Sequence, residues 1–329
     1  MSDYLTGAAG SFLTAFLVCA LLGPVVIPEL HKLKFGQAIR DCGPKEHQKK
    51  SGTPTMGGLM MLAGLAVATV LWQKFEPVVV IAVVLTFGHA LIGFLDDYIK
   101  VVKKRNLGLT AKQKFALQTA LALAYIVYVE LHVGPQGQNL WIPGTAVNVH
   151  LGWFYYLLAF LLLVGTTNAV NLTDGLDGLV SCVSIPVLLV FAYIAYLTQV
   201  QAMSLFAAAC VGSCLGFLLY NHYPAKVFMG DTGSLALGGA VAALALLTHT
   251  ELLLIIVGAV YVAEAASVII QVTYFKKTGG KRIFRMTPIH HHFELGGWKE
   301  TKVVTVFTAV SSIFSVLGLL LWFMGKGGM

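Results

Sequence analysis

Ten apolar stretches run through this chain, at 8–30, 57–73, 78–95, 115–133, 154–170, 178–198, 202–220, 233–248, 251–274 and 303–325. A helix needs about 20 mostly apolar residues to cross a bilayer, because in hydrocarbon each backbone polar group must be bonded within its own segment. The stretches predict an all-α integral membrane protein with ten transmembrane helices, folded as one polytopic domain over residues 1–329. Composition excludes a soluble alternative. Charged residues make up 11% of the chain, against about 25% in ordinary soluble domains, too few to cover a water-facing surface. The window 233–248 is short, and 57–73 and 154–170 are marginal in length.

Charge placement sets the orientation. Twenty of the 22 Lys and Arg residues lie in the loops after the first, third, seventh and ninth stretches, leaving Lys74 and Lys326 on the other side. Basic loops stay in the cytoplasm, so both termini are expected on the periplasmic face. The net charge of +7 then faces anionic head groups or an anionic substrate, and a nucleic-acid partner is not expected. The first basic residue, Lys32, follows the first apolar run, which is not the order of a cleavable signal. The five cysteines include no CxxC pair and read as small buried hydrophobes. In the outer loop 131–153, the alternation Val147-Asn148-Val149-His150 predicts a short hairpin.

The carboxylates are scarce, and the conspicuous ones share the cytoplasmic face. Asp96 and Asp97 end the third stretch, Asp174 and Asp177 follow the fifth, and Asp231 precedes the eighth. Adjacent helical residues point about 100° apart, so Asp96 and Asp97 cannot do the same job. Negative charge at a helix C-terminus is unfavourable by about 0.3–1 kcal/mol, which argues against passive placement. The pair can ligate Mg²⁺, or one member can act as a base with a shifted pKa. Asn168, Asn171, Asp174 and Asp177 recur every three residues, which on a helix makes one polar stripe. Asp231 sits between Gly230 and Gly233, where it can cap the eighth helix or bind a metal, and small residues at a helix start suit phosphate oxygens. Neither a GxxxxGK[ST] nor a GxGxxG motif occurs. His290, His291 and His292 are consecutive, and three neighbours rarely converge on one ion; with nearby Lys and Arg they form an anion-binding surface. Glu264 is the only acid well inside a span, a functional candidate or a paired structural acid near Gln271.

In order along the chain stand Asp96-Asp97-Tyr98, Asn168-x-x-Asn171-x-x-Asp174-Gly-x-Asp177-Gly, Phe228-x-x-Asp231-x-Gly-Ser and Pro288-x-His-His-His-x-Glu294. Together they resemble the polyprenyl-phosphate N-acetylhexosamine-1-phosphate transferase superfamily. The His motif with Gly297-Trp298, and the run Gly52-Thr-Pro-Thr-Met-Gly-Gly58 with Lys49 ahead of it, is similar to the phospho-N-acetylmuramoyl-pentapeptide transferase branch. The likeness extends from about residue 30 to about residue 300.

The resemblance implies a Mg²⁺-dependent, usually dimeric enzyme of the bacterial inner membrane, with its active site at the cytoplasmic face. It implies transfer of phospho-MurNAc-pentapeptide from UDP-MurNAc-pentapeptide to undecaprenyl phosphate, giving lipid I and UMP in peptidoglycan synthesis, on which cell wall, cell shape and division depend. Inhibition by nucleoside antibiotics such as tunicamycin belongs to the same expectation. By carry-over, Asp231 is the Mg²⁺ ligand, and Asp97, beside Asp96, deprotonates or orients the lipid phosphate. Phe228 stacks on uracil, Gly175, Leu176 and Asp177 read its edge, and Asn171 lines that pocket. Lys112 contacts the phosphates and Lys49 the nucleotide, while Asn168 and Asp174 complete the polar wall. His290, His291 and His292 bind the sugar-peptide side. The competing readings are a sister enzyme using UDP-GlcNAc, a secondary transporter, and a passive lipid-binding scaffold. A transporter places polar residues near the midplane, where only Glu264 and His89 are candidates.

Overall fold

The computed structural model describes residues 2–32, 50, 52–103 and 107–326. Helices α1 (Ser2–Lys32), α2 (Gly58–Trp72), α3 (Pro77–Val102) and α4 (Ala111–Tyr128) come first. A short hairpin follows, β1 (Asn139–Trp141) and β2 (Asn148–His150), antiparallel with Leu140 opposite Val149 as the alternation predicts. Then come α5 (Phe154–Thr173), α6 (Leu179–Leu197), α7 (Gln201–Asn221) and α8 (Gly230–Leu247). The chain ends with α9 (Glu251–Val257), α10 (Ala259–Lys277), α11 (Ile289–Glu294) and α12 (Glu300–Lys326).

Among the described residues, eight helices are long and apolar enough to cross a membrane. The stretch 251–274, read from sequence as one span, breaks at Gly258 into α9 and α10, bent by 82°. A Cβ at Gly258 would lie 2.7 Å from the Leu254 carbonyl, so the kink is built around a residue without one. The marginal window 57–73 is an apolar helix of 15 residues, shorter than the eight. The outward faces are apolar. Leu13, Leu17, Leu21 and Val25 form an exposed stripe on α1, and Ile313, Val316, Leu320 and Met324 one on α12. Stripes of that extent on a water-soluble monomer would be aggregation sites; here they face lipid. Of the cysteines, Cys19, Cys182, Cys210 and Cys214 are free thiols, and Cys42 lies outside the described residues.

The core forms around α8, whose residues from Thr232 to Leu247 are all buried. Its sequence is weakly apolar because it is rich in Gly and Ala, and that is why it sits centrally. With no hydrophobic drive between helices in lipid, association rests on close packing, which small residues permit. A Cβ at Gly238 would fall 2.6 Å from Thr167 Cα of α5, and one at Gly239 2.9 Å from the Leu85 carbonyl of α3. At the start of α8, a Cβ on Gly93 of α3 would lie 2.0 Å from the Asp231 carbonyl oxygen. Only a glycine there lets the end of α3 and the start of α8 meet.

Candidate active site

That meeting brings the acids together. Asp96 and Asp97 are 1% and 3% exposed, and the carboxylate oxygens of Asp96, Asp97 and Asp231 lie within 4.8 Å of one another. The two neighbours face different ways, as helix geometry requires. Asp97 turns to α8: its Oδ1 accepts the Asp231 N–H at 3.2 Å, and its Oδ2 accepts the Thr232 N–H at 2.9 Å and the Thr232 hydroxyl at 2.8 Å. It thus caps the N-terminus of α8 from another helix, where the exposed N–H groups and dipole favour an anion. Asp96 turns to the segment before α4. Its Oδ1 accepts the Leu109 N–H at 2.8 Å and lies 3.1 Å from Lys114 Nζ, and its Oδ2 lies 2.6 Å from Lys100 Nζ.

Three carboxylates this close need positive charge. Lys100 and Lys114 supply it, reaching Asp231 Oδ2 at 3.1 and 2.9 Å. Lys100 lies one turn beyond Asp96 on α3. Lys114 is placed by a capping box that starts α4, in which Thr110 Oγ1 accepts the Gln113 N–H and the Gln113 side chain accepts the Thr110 N–H. Lys112 is exposed and has no polar partner among the described residues. Lys114, not Lys112, joins the acid cluster. Sequence reasoning passed over Lys114 and Lys100; their positions at a helix start and one turn from Asp96 were the available signals.

The polar stripe extends over fewer residues than its spacing predicts. Helix α5 ends at Thr173, so Asn168 and Asn171 lie on it, Asp174 caps its C-terminus, and Asp177 lies in the turn beyond. Asn171 Nδ2 donates to Asp231 Oδ1 at 3.0 Å and to Ser234 Oγ at 2.8 Å, so it belongs to the cluster. Asn168 instead donates to Gln118 Oε1 at 3.2 Å, bracing α5 against α4. The half-buried Asp174 has no hydrogen-bonding side-chain partner among the described residues. Burial first, and then the charges of Asp231, Asp97 and Asp177, push its carboxyl up to about 8.

Asp177 is held differently. Its Oδ1 lies 2.7 Å from Lys50 Nζ and its Oδ2 accepts the Ala225 N–H at 2.9 Å. Its own N–H donates to Glu300 Oε1 at 2.7 Å. Burial disfavours the Lys50 ammonium, but the Asp177 and Glu300 carboxylates outweigh it and hold Lys50 above its ordinary value. Lys49 lies outside the described residues. Gly178, at φ +76°, supplies the left-handed turn that starts α6. Phe228 is half-buried, and its backbone pairs with Pro54 and Gly57, which lays the 53–58 segment beside the start of α8.

The three imidazoles do not converge. His290 Nδ1 lies 3.1 Å from Glu264 Oε1, His291 Nδ1 2.7 Å from Glu294 Oε2, and His292 Nδ1 accepts the Arg285 N–H at 3.1 Å. Glu264, whose sequence placement suggested Gln271 as neighbour, is the partner of His290; Gln271 Oε1 instead accepts the Ile283 and Phe284 N–H groups. The Nε2 edge of His290 presses on Gly175, where a Cβ would lie 2.2 Å from it. The His segment and the Gly175–Asp177 turn therefore form adjoining walls, with Leu176 buried between core and turn.

The donor set fits a hard divalent cation: three carboxylates from two helices, with oxygens close enough to share one ion. The two lysines supply comparable charge and sit on flexible stems, so they can turn to an anionic ligand. An acid cluster with two ammonium groups, beside a turn and an aromatic ring, suits a reaction between phosphates.

Comparison with known proteins agrees with that chemistry. A family model described as Glycosyl transferase family 4 matches residues 78–249. The chain is 56% identical to the phospho-N-acetylmuramoyl-pentapeptide-transferase of Heliobacterium modesticaldum over 311 residues, 94% of this chain and 96% of the relative. Proteins of the same name from Bacillus subtilis (strain 168) and Listeria monocytogenes serotype 4b (strain F2365) share 52%, each match covering 94% of this chain and 96% of the relative.

Proposed function

The chain belongs to the phospho-N-acetylmuramoyl-pentapeptide transferase family, and from that premise we propose that it transfers phospho-MurNAc-pentapeptide from UDP-MurNAc-pentapeptide to undecaprenyl phosphate. The products are lipid I and UMP. The observation that carries the reading is the convergence of Asp96, Asp97 and Asp231 with Lys100 and Lys114 in a membrane protein of this family.

We read ten crossings: the eight long helices, the bent α9–α10 pair as one, and α2 as a short one. The basic loops then lie in the cytoplasm of a bacterial cell, with the acid cluster on that side of the inner membrane and both termini opposite. A soluble nucleotide and a lipid phosphate meet only at such an interface.

Asp231 is the Mg²⁺ ligand in this reading, with Asp96 and Asp97 able to share the ion. When bound, Mg²⁺ supplies charge that screens the two anionic substrates and stabilises the pyrophosphate oxygens. Lys100 and Lys114 turn from the carboxylates to the phosphates. In a direct displacement, a lipid phosphate oxygen bonds to the phosphorus that carries MurNAc. The bond from that phosphorus to the bridging oxygen breaks, and the electron pair leaves with UMP. Asp97 orients the acceptor side rather than taking its proton, because both its oxygens already hold the start of α8. Phe228 stacks on uracil, the backbone of Gly175, Leu176 and Asp177 reads its edge, and Asn171 lines the pocket. Lys112 contacts the phosphates and Lys49 the nucleotide, and Asn168 and Asp174 complete the wall. His290, His291 and His292 meet the sugar-peptide. Dimerisation and nucleoside-antibiotic binding are part of the same reading and rest on family resemblance.

The test is UMP release with undecaprenyl phosphate as acceptor, assayed with each sugar nucleotide. Turnover of UDP-MurNAc-pentapeptide that depends on Mg²⁺ supports the reading. Turnover of UDP-GlcNAc alone refutes the substrate, and a trapped phospho-aspartate in the absence of acceptor refutes direct displacement.

A further inference from the structure

Glu300 opens α12 and has no motif to announce it, yet it is 8% exposed and fully engaged. Its Oε1 accepts the Asp177 N–H at 2.7 Å and lies 2.6 Å from Lys50 Nζ, and its Oε2 lies 2.8 Å from the same ammonium. Lys50 also reaches Asp177 Oδ1 at 2.7 Å, so one ammonium is shared by two carboxylates from distant segments. The next backbone group is held too: the Gly178 N–H donates to Asn221 Oδ1 at 3.0 Å, and Asn221 Nδ2 donates to the Val227 carbonyl at 2.9 Å. Phe228 follows directly, its N–H on the Pro54 carbonyl, four residues after Lys50. These bonds close a ring through residue 50, the 175–178 turn, the end of α7, Phe228 and the start of α12. In the described structure, Glu300 bonds to none of Asp96, Asp97 and Asp231.

We propose that Glu300 is a positioning residue for the donor nucleotide: with Lys50 it clasps the Gly175–Gly178 turn to α12 and fixes the spacing between that turn and Phe228. This rests on the reading that the turn and Phe228 face the uridine. The clasp acts on donor binding, because the ring includes the pocket walls and leaves out the acid cluster. A buried carboxylate that accepts both an N–H and an ammonium is a stiff anchor, since charge-assisted bonds are roughly twice as strong as neutral ones. Replacing it with an amide keeps an oxygen for the Asp177 N–H and removes the charge that holds Lys50.

The experiment uses the full chain in detergent, with UMP release followed at varied UDP-MurNAc-pentapeptide and varied undecaprenyl phosphate. Glu300→Gln is expected to raise the nucleotide KM about tenfold, the equivalent of about 1.4 kcal/mol, with kcat and the lipid KM unchanged. Glu300→Ala raises it further, and Glu300→Asp recovers most of the loss. Lys50→Met combined with Glu300→Gln does less than the product of the single effects. An unchanged nucleotide KM in Glu300→Gln and Glu300→Asp overturns the proposal, as does a joint change of kcat and both KM values with a lower melting temperature. If Glu300→Ala fails to fold, the Gln and Asp variants still decide, because each keeps an oxygen acceptor. Phe228→Leu separates the layers. If it leaves the nucleotide KM untouched, the pocket assignment itself fails. If it raises that KM while the Glu300 variants do not, only the clasp fails.

Discussion

Helix α8 has buried carboxylates at both ends, and the two ends treat them differently. At Gly230, three acids share two lysine ammonium groups, each on a long stem. At the far end, about 27 Å away for 18 residues at 1.5 Å each, Glu251 is fully buried and accepts the Tyr155 hydroxyl at 2.6 Å. Tyr155 lies 2.9 Å from the Tyr125 hydroxyl, and both rings are locked in the core. An ammonium can leave a carboxylate for an incoming phosphate without moving a helix. A phenol fixed by packing cannot. The first end is arranged to exchange partners and the second to keep them.

The sharpest way to break this contrast is Asp231→Asn. It removes one of three clustered negative charges and keeps the side chain's size, so the fold should persist. Turnover should fall by about a hundredfold or more, the scale seen when a charge-stabilising group is removed. UMP release per folded molecule, beside a melting curve, checks it. A large fall in melting temperature with turnover intact would make Asp231 a structural acid like Glu251.

The lysines sharpen the same point. Lys114→Met removes a charge-assisted contact to both Asp96 and Asp231 and should lower turnover about tenfold to a hundredfold. Lys112→Met, at an exposed site, should act through the nucleotide KM, by about fivefold or less, and leave kcat near its starting value. Equal losses would mean that proximity to the cluster in this structure does not rank the lysines.

That pair shows how far the sequence could be read. The clustering of Asp96, Asp97 and Asp231 was legible because they stand in short polar motifs at the ends of two apolar runs. The lysines were not, since which of two near neighbours turns inward depends on a capping box and on the chain passing Asp96 at Gly108. Glu300 and Lys50 were invisible for a similar reason: one helix start and one loop residue, 250 positions apart, meet only when the bundle closes. The apolar windows gave the helical membrane fold. They missed the 82° bend, because a single Gly inside an apolar run does not interrupt its hydropathy. Hydropathy likewise marked α8 only as a short window, although its small residues are what put it at the centre.

At the far end of α8, Glu251→Gln keeps an oxygen that can accept the Tyr155 hydroxyl but puts an amide NH2, which cannot accept, in place of the other carboxyl oxygen. Stability should fall by about 1–3 kcal/mol, the penalty for disturbing a buried polar group. Turnover per folded molecule should change by less than about twofold, since an effect of that origin acts on folding. Loss of turnover as deep as in Asp231→Asn would erase the distinction between the ends.

The smallest expected effect concerns Asp174, at the exchanging end but without a lysine of its own among the described residues. Its folded carboxyl is raised from 3.8 to about 8, by burial first and by Asp231, Asp97 and Asp177 after it. Between those values the folded protein holds a proton that the unfolded chain has released. Stability from this group therefore falls as pH rises across the window, and is unaffected below it. Asp174 is half-buried, so solvent screens part of the penalty. Melting temperatures in chelator at pH 5 and pH 8 measure it. The wild-type protein should lose more stability over that interval than Asp174→Asn, which has nothing to ionise. Identical slopes would show that the site's negative charge is neutralised at Asp174 as fully as at Asp231, and that the exchanging end holds its charges as tightly as the locked one.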